Sequence, residues 1–536
     1  MEALKANGEM DAPLYIFLIL TMALVFQSTG CSKKSVESEP MSARLAYDLA
    51  APMQLSKEVS MAPAFNTEEY DRIRENTFKD ALQNPLSTFS IDVDTASYSN
   101  LRRFINMSRM PPKDAVRIEE MINYFDYDYP EPHGAHPFSI MTEVGPCPWN
   151  DRNNLIHIGI QGKRLNYDDL KPANLVFLID SSGSMRERNK LPLLKKSFKL
   201  LLDELGEQDR IAIVAYAGSA GLVLPSTAAV QKERIISALD GLSAGGSTAG
   251  GMGIQLAYEV AGQNLIRNGN NRVILATDGD FNVGVSSTAD LVRLIENKRK
   301  NGVYLTIIGF GMGNYKDGRM EQISNAGNGN YFYIDNIREA EKVFVREMRA
   351  NMFTIAGDVK IQIEFNPTKV AAWRLIGYEN RVMAKEDFDD DAKDAGELGA
   401  GHTVTALYEI VPQNDKIAAS RSAPLKYQET RIKLDAHRSK EMMTVKFRYK
   451  PIGQDVSRLI EKAIDAEIVS AEKTSDDFRF SAAVAGFGML LRDSEFKGSL
   501  AYDDVLRLAR GAKGKDANGD RAEFIQMVKI CRLLAK

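Results

Sequence analysis

Two tryptophans, five histidines and three cysteines in 536 residues leave little of the chemistry that many protein classes depend on. Cys31, Cys147 and Cys531 lie far apart, with neither zinc-ligand spacing nor a disulfide framework among them. The near-absence of tryptophan and histidine limits aromatic platforms and histidine-based catalysis. A net charge of −4 supplies no broad basic field, which excludes nucleic acid as an expected partner. There is no GxxxxGK[ST] segment, so the chain is not itself a P-loop ATPase. What it does have is length. A chain of this size is expected to hold two to four domains and to bury a large core without covalent staples.

Near the N-terminus, Leu14 to Phe26 (LYIFLILTMALVF) is almost unbroken in apolar character. Thirteen residues are too few to span a bilayer comfortably, but they suit the apolar region of a signal peptide. Gln27-Ser28-Thr29-Gly30-Cys31 follows, and small residues just before a cysteine resemble a bacterial lipobox. That resemblance implies cleavage before Cys31 and lipidation of its thiol. Residues 1–30 are then a lipoprotein signal peptide and 31–66 a flexible tether, rich in Ser, Glu, Lys, Ala, Met and Pro without periodicity.

The most informative segment is Leu175-Val176-Phe177-Leu178-Ile179-Asp180, followed by Ser181-Ser182-Gly183-Ser184. It reads as a buried strand feeding a tight, hydroxyl-rich loop at its carboxyl end, where open α/β sheets place their ligands. Gly245-Gly246-Ser247-Thr248 offers another hydroxyl on a glycine-rich turn. The strand Val273–Ala276 runs into Thr277-Asp278-Gly279-Asp280. Hydroxyls and carboxylates converging in this way suit a hard cation that takes oxygen ligands.

The order Asp-x-Ser-x-Ser, then Thr, then Asp resembles the metal-ion-dependent adhesion site of von Willebrand factor type A domains. The resemblance implies five ligand positions: Asp180, Ser182, Ser184, Thr248 and Asp278. In that family the hydroxyls hold the cation, and the aspartates act mostly through bound water. One coordination position stays open for an acidic side chain on a partner protein. Mg²⁺ is the expected ion because it accepts few protein ligands, with Mn²⁺ or Ca²⁺ as substitutes.

The expected fold class is α/β. A doubly wound, mainly parallel six-stranded von Willebrand A domain over 172–350 is inserted between β-rich flanks, with a helical C-terminal region. Strands are predicted at 175–179, 211–216, 273–276, 304–309 and 331–334, and helices from Pro192 to Leu205 and over 229–239, 250–262, 288–300 and about 337–350. The preceding module, 67–171, is read as α+β, with helices over 98–107 and 116–125 and strands near 138–144 and 155–161. A β-rich module, 351–453, alternates apolar and polar residues at Val359, Ile361, Ile363 and Phe365 and again at Met443, Val445, Phe447 and Tyr449. Strands on both sides of the insertion are expected to pair into one sandwich. Residues 454–536 are read as helical, with segments at Val456–Glu472, Asp477–Arg492, Tyr502–Ala509 and Ala522–Leu534. This layout, with Ser87–Phe104 (STFSIDVDTASYSNLRRF) and Asp394–Glu409 (DAGELGAGHTVTALYE), resembles bacterial lipoproteins of the YfbK type.

Other chemistry-bearing segments have simpler readings. Asp92 and Asp94 fit a strand end and a cap for the helix near Ala96; too few residues remain around them for a dehalogenase-type phosphatase core. His133 and His136 sit in a proline-rich loop, Asp387 to Asp394 in an acidic one, and Asp516 to Asp520 in a turn with N-cap residues. No histidine or lysine lies within the metal motifs to act as a base, so no enzymatic activity is expected. The functional expectation is a lipid-anchored protein of the bacterial cell envelope, on the periplasmic or outer-membrane face. Its Mg²⁺ site binds an acidic group of a protein partner. The alternative is an adaptor or scaffold for an envelope complex that uses its flanking modules, with a structural metal site; a metal-dependent hydrolase ranks behind both.

Overall fold

The structure is a computed structural model that describes residues 66–91, 94–166, 171–246, 250–279, 288–348, 352–393, 395–413, 427 and 430–536. The signal peptide, Cys31 and nearly all of the tether therefore lie outside the described residues, as do Asp92, Thr248 and Asp394.

The N-terminal flank contributes β1 (Lys79–Asp80), β2 (Leu86–Ser90), α1 (Ala96–Asn106), α2 (Ile118–Asn123), β3 (Phe138–Pro146) and β4 (Asn154–Gly162). The central segment supplies β5 (Ala173–Asp180), α3 (Leu191–Glu204), β6 (Arg210–Tyr216), β7 (Ala220–Ala228), α4 (Lys232–Gly241) and α5 (Gly250–Gln263). It continues with β8 (Asn270–Thr277), α6 (Thr288–Lys300), β9 (Val303–Phe310), α7 (Asp317–Ala326), β10 (Tyr331–Ile334) and α8 (Ile337–Glu341). Its sheet runs β10-β9-β8-β5-β6-β7, parallel except for β7 at one edge. β5 is buried along its whole length because helices cover both faces, which is why it reads as a continuous apolar run. Phe177 and Ile179 face Phe198 of α3, whereas Val176 and Leu178 face Ile254 and Tyr258 of α5.

The C-terminal flank begins with β11 (Thr354–Phe365), β12 (Val370–Ile376), β13 (Gly396–Gly399), β14 (Thr403–Pro412), β15 (Glu441–Pro451) and β16 (Arg458–Asp465). These strands pair with those of the N-terminal flank across the inserted domain. One sheet is β1-β12-β14-β4-β3, and the other is β13-β11-β15-β16 with β2 also on β11. Ile156, Ile158 and Ile160 of β4 pack toward Ile361 and Ile363 of β11 and Val445 and Phe447 of β15 in one core. The intervening Leu155 faces the other way, into a helical layer. That layer holds α1, α2, α9 (Asp476–Arg492), α10 (Tyr502–Gly511) and α11 (Asp520–Leu534). A Cβ at Gly488 of α9 would lie 2.7 Å from Ile118 Cγ1, so the small residue lets α2 approach. Cys147 and Cys531 are free thiols, both buried.

Two readings of local texture are corrected. The helix expected over 456–472 is absent: Arg458–Asp465 form the exposed edge strand β16 and only Ala471–Lys473 make a single 3-10 turn, so the helical region starts at Asp476 rather than 454. Leu459, Ile460 and Ile464 have helical spacing, but the turn after Pro451 folds the segment back on β15, and the ladder Glu441↔Asp465 to Tyr449↔Arg458 satisfies its backbone. The helix expected over 337–350 is α-helical only through Glu341 and continues as a π-helical turn, Lys342–Arg346. Strands β7 and β12 and helix α7 have no counterpart among the elements expected from sequence.

Candidate metal centre

Parallel pairing of β5 with β8 sets Ile179 level with Ala276, which brings Asp180 and the Thr277-Asp278 step to the same edge of the sheet. Asp180 and Asp278 are fully buried, Ser182 is 3% exposed, and Ser184 is open to solvent. The backbone N–H of Ser182 donates to Asp180 Oδ1 at 2.9 Å. Thr277 Oγ1 and Tyr216 OH donate to Asp180 Oδ2 at 3.2 and 3.3 Å. All three donors are neutral. Burial pushes the Asp180 carboxyl up to about 6, and the nearby charge of Asp278 acts in the same direction, against the hydrogen bonds from Ser182.

The Ser182 and Ser184 hydroxyl oxygens are 2.9 Å apart. The glycine-rich turn closes over their loop: Gly183 N–H donates to Gly246 O at 3.1 Å, and Gly245 N–H donates to Ser181 O at 2.8 Å. The structure thus brings together Asp180, Ser182, Ser184 and Asp278, and holds the start of the Thr248 turn against them.

Sequence reasoning missed Lys190. Its ammonium, 3% exposed, donates to Asp278 Oδ2 at 2.9 Å, while Asn314 Nδ2 approaches Asp278 Oδ1 at 3.4 Å. Lys190 immediately precedes α3 and reaches across the sheet edge past Gly311. Gly311 has φ +74°, and a Cβ there would run into the lysine stem. The two aspartates are therefore unlike each other: Asp278 has a counter-charge, whereas Asp180, among the described residues, is buried against neutral donors alone.

These residues fit a hard dication. Metal–oxygen bonds of about 2.0–2.1 Å put adjacent corners of an octahedron about 2.9 Å apart, matching the separation of the two serine oxygens. A cation there would also compensate the charge of Asp180.

The other segments singled out from sequence have structural partners. Asp94 accepts from Tyr331 N–H at 2.7 Å and pairs with Arg381, so it does not cap α1 as expected; Glu120 Oε2 instead accepts from Ser97 N–H in the first turn of that helix. His136 Nδ1 bonds to Tyr449 OH. Asp389 pairs with Arg448, and Asp516 accepts from the backbone N–H groups of Arg521 and Ala522 at the start of α11. Asp94, Glu120 and Glu321 form a buried acidic cluster, but arginines already engage it.

Family models match along nearly the whole described chain. Residues 174–346 match the von Willebrand factor type A domain, 350–534 the C-terminal region of uncharacterized protein YfbK, and 64–157 a model described as von Willebrand factor. The chain is 43% identical over 472 residues to the uncharacterized protein YfbK of Escherichia coli, covering 87% of this chain and 81% of that protein. A magnesium-chelatase 60 kDa subunit of Cereibacter sphaeroides is 32% identical over 144 residues, a quarter of each chain. Among solved structures, a von Willebrand factor type A protein from Catenulispora acidiphila is 16% identical, with a TM-score of 0.40, covering 71% of this chain and 88% of that one. The domain points to a protein-interaction or adaptor role. The chain belongs to the YfbK type of bacterial von Willebrand factor type A domain proteins.

Proposed function

We propose that this protein is a lipid-anchored component of the bacterial cell envelope that binds an acidic side chain of a protein partner through Mg²⁺. The observation carrying the reading is the buried Asp180 carboxylate, held by neutral donors beside two paired serine hydroxyls at a sheet edge. Ser182 and Ser184 would hold the ion, with Thr248 as the third hydroxyl. Asp180 and Asp278 would orient its waters. The ion supplies Lewis acidity toward a carboxylate oxygen. Holding it mainly with neutral oxygens leaves that acidity largely unspent. The reading is one of binding rather than catalysis. Cys31 would carry the lipid.

The test is capture of envelope proteins by the full-length chain in detergent, with Mg²⁺, with chelator, and with Asp180→Ala in Mg²⁺. A partner retained by wild type in Mg²⁺ and lost in the other two conditions is expected, with labelled fatty acid incorporated by wild type and not by the Cys31→Ser chain. Equal capture in all three conditions would move binding to the flanking modules and leave the metal site structural.

Lys190 gives this site a second, quantitative test. Its ammonium neutralises the Asp278 carboxylate, so Lys190→Met should raise Mg²⁺ affinity roughly tenfold in titration calorimetry. Without metal, the same variant should lose about 1–3 kcal/mol of stability, because Asp278 is left buried without its ion pair. Unchanged Mg²⁺ affinity would mean that the lysine only braces the sheet edge.

A further inference from the structure

On β8, six residues before Asp278 at the strand's end and so roughly 20 Å from it, Arg272 lines a polar cavity of about 240 Å³ between the central domain and the sandwich. The arginine is 2% exposed. Nη1 donates to Thr306 Oγ1 at 2.7 Å, and the guanidinium lies over the Tyr304 ring, 5.7 Å from its centroid. Among the described residues, Nε has no hydrogen-bond partner and no carboxylate forms an ion pair with the group. The other arginines buried among the described residues, Arg102, Arg103, Arg117, Arg374 and Arg492, each hold a carboxylate. Burial pushes the Arg272 guanidinium down to about 10 despite the opposing influence of Tyr304 and Glu397.

A buried guanidinium without an anion is costly, and the cavity beside it is where an anion can sit. Among the described residues, no other charged group lining the cavity forms an ion pair with it, although Glu397 lies near enough for its charge to be felt. Arg381 is committed to Asp94 and Glu321. Glu397 accepts from Asn328 Nδ2 at 3.0 Å. Burial holds His402 neutral by pushing it down to about 4. The cavity is also lined by Asn325, whose Oδ1 has no hydrogen-bond partner among the described residues. A ligand that fits both needs must offer anionic oxygens to Arg272 and a hydroxyl to Asn325.

We propose that this cavity binds a hydrogen phosphate group, with Arg272 as the anion contact and Asn325 as the acceptor for the phosphate hydroxyl. Sulfate, which is fully deprotonated near neutral pH, satisfies only the first. The site is distinct from the metal centre and does not depend on it.

The test is calorimetric titration of the full-length chain, free of divalent cations and at constant ionic strength, with inorganic phosphate, sulfate and glycerol 3-phosphate. Saturable phosphate binding is expected, several-fold tighter than sulfate, and weakened at least tenfold in Arg272→Gln. Asn325→Ala, a half-buried change, should bind phosphate and sulfate about equally. Glycerol 3-phosphate, whose phosphate is mostly dianionic and carries no P–OH near neutral pH, should bind more weakly than inorganic phosphate; tighter binding would overturn Asn325 as the acceptor for a phosphate hydroxyl. Absence of saturable phosphate binding by wild type overturns the proposal whatever the variants do. So does equal affinity in Arg272→Gln, since the cavity would then be a water-filled gap.

Discussion

Arg117→Met is expected to cost about 3–5 kcal/mol of unfolding free energy, because it removes one guanidinium from a buried group of four carboxylates. Arg117, at the start of α2, pairs with Glu120 and Asp317 and lies 3.6 Å from Glu321. Arg381, from the loop after β12, pairs with Glu321 and with Asp94. The cluster thus joins α2 of the N-terminal flank, α7 of the central domain and the C-terminal sandwich, so its loss loosens three parts of the chain together. Burial and the neighbouring charge of Glu321 already push Glu120 up to about 7, although Arg117 opposes them. Because that folded value lies above the unfolded one, ionising Glu120 removes stability as pH rises from about 4.5 to 7. Without Arg117 the remaining acids repel one another more strongly. The cost should therefore be larger at pH 8 than at pH 5, where protonation relieves the repulsion. Chemical unfolding at the two pH values measures this. A deficit below about 1 kcal/mol, or one independent of pH, would show that the cluster is not held by Arg117.

The parts of the site legible in the sequence are those fixed by local order. A strand that is apolar on both faces must lie inside a sheet, and a carboxylate at its end followed by alternating serines must sit on the loop above. That much places Asp180, Ser182 and Ser184 at the sheet edge, and Asp278 by the same reasoning on β8; grouping them with Thr248 as one ligand set comes from the resemblance to the family's motif. Lys190 was not legible. Its position before α3 has no periodic signature, and only the sheet register places its ammonium on Asp278. Arg272 was hidden for the same reason: within Asn270–Thr277 it reads as one polar residue in a buried strand, and nothing local says that no acid meets it. Pairing of the two flanks was foreseeable from alternation, because half-buried strands need partners. Strand β16 was not, since its ladder partner, rather than its own sequence pattern, decides its conformation.

Acid should act on this protein through His157, in the opposite direction to the Glu120 effect. His157 on β4 is fully buried among Tyr127, Tyr129 and Phe478. Its Nε2 bonds to Tyr129 OH at 2.8 Å, and Nδ1 has no partner among the described residues. Burial pushes the imidazole down to about 3. In the unfolded chain it titrates near 6.5, so between those values the unfolded state binds a proton that the native state refuses. Its contribution is complete above about pH 6.5 and is lost as pH falls, reaching on the order of several kcal/mol by pH 3. His157→Leu removes this loss. Tyr129 OH keeps its 2.6 Å contact with Thr405 Oγ1, so stability at pH 7 should change by no more than about 1–2 kcal/mol. Between pH 7 and pH 4 the variant should then lose markedly less stability than wild type. Parallel losses would locate the acid sensitivity in carboxylates shared by both proteins, whereas a flattened profile would assign it to one imidazole sealed between a β-sheet and the helical layer.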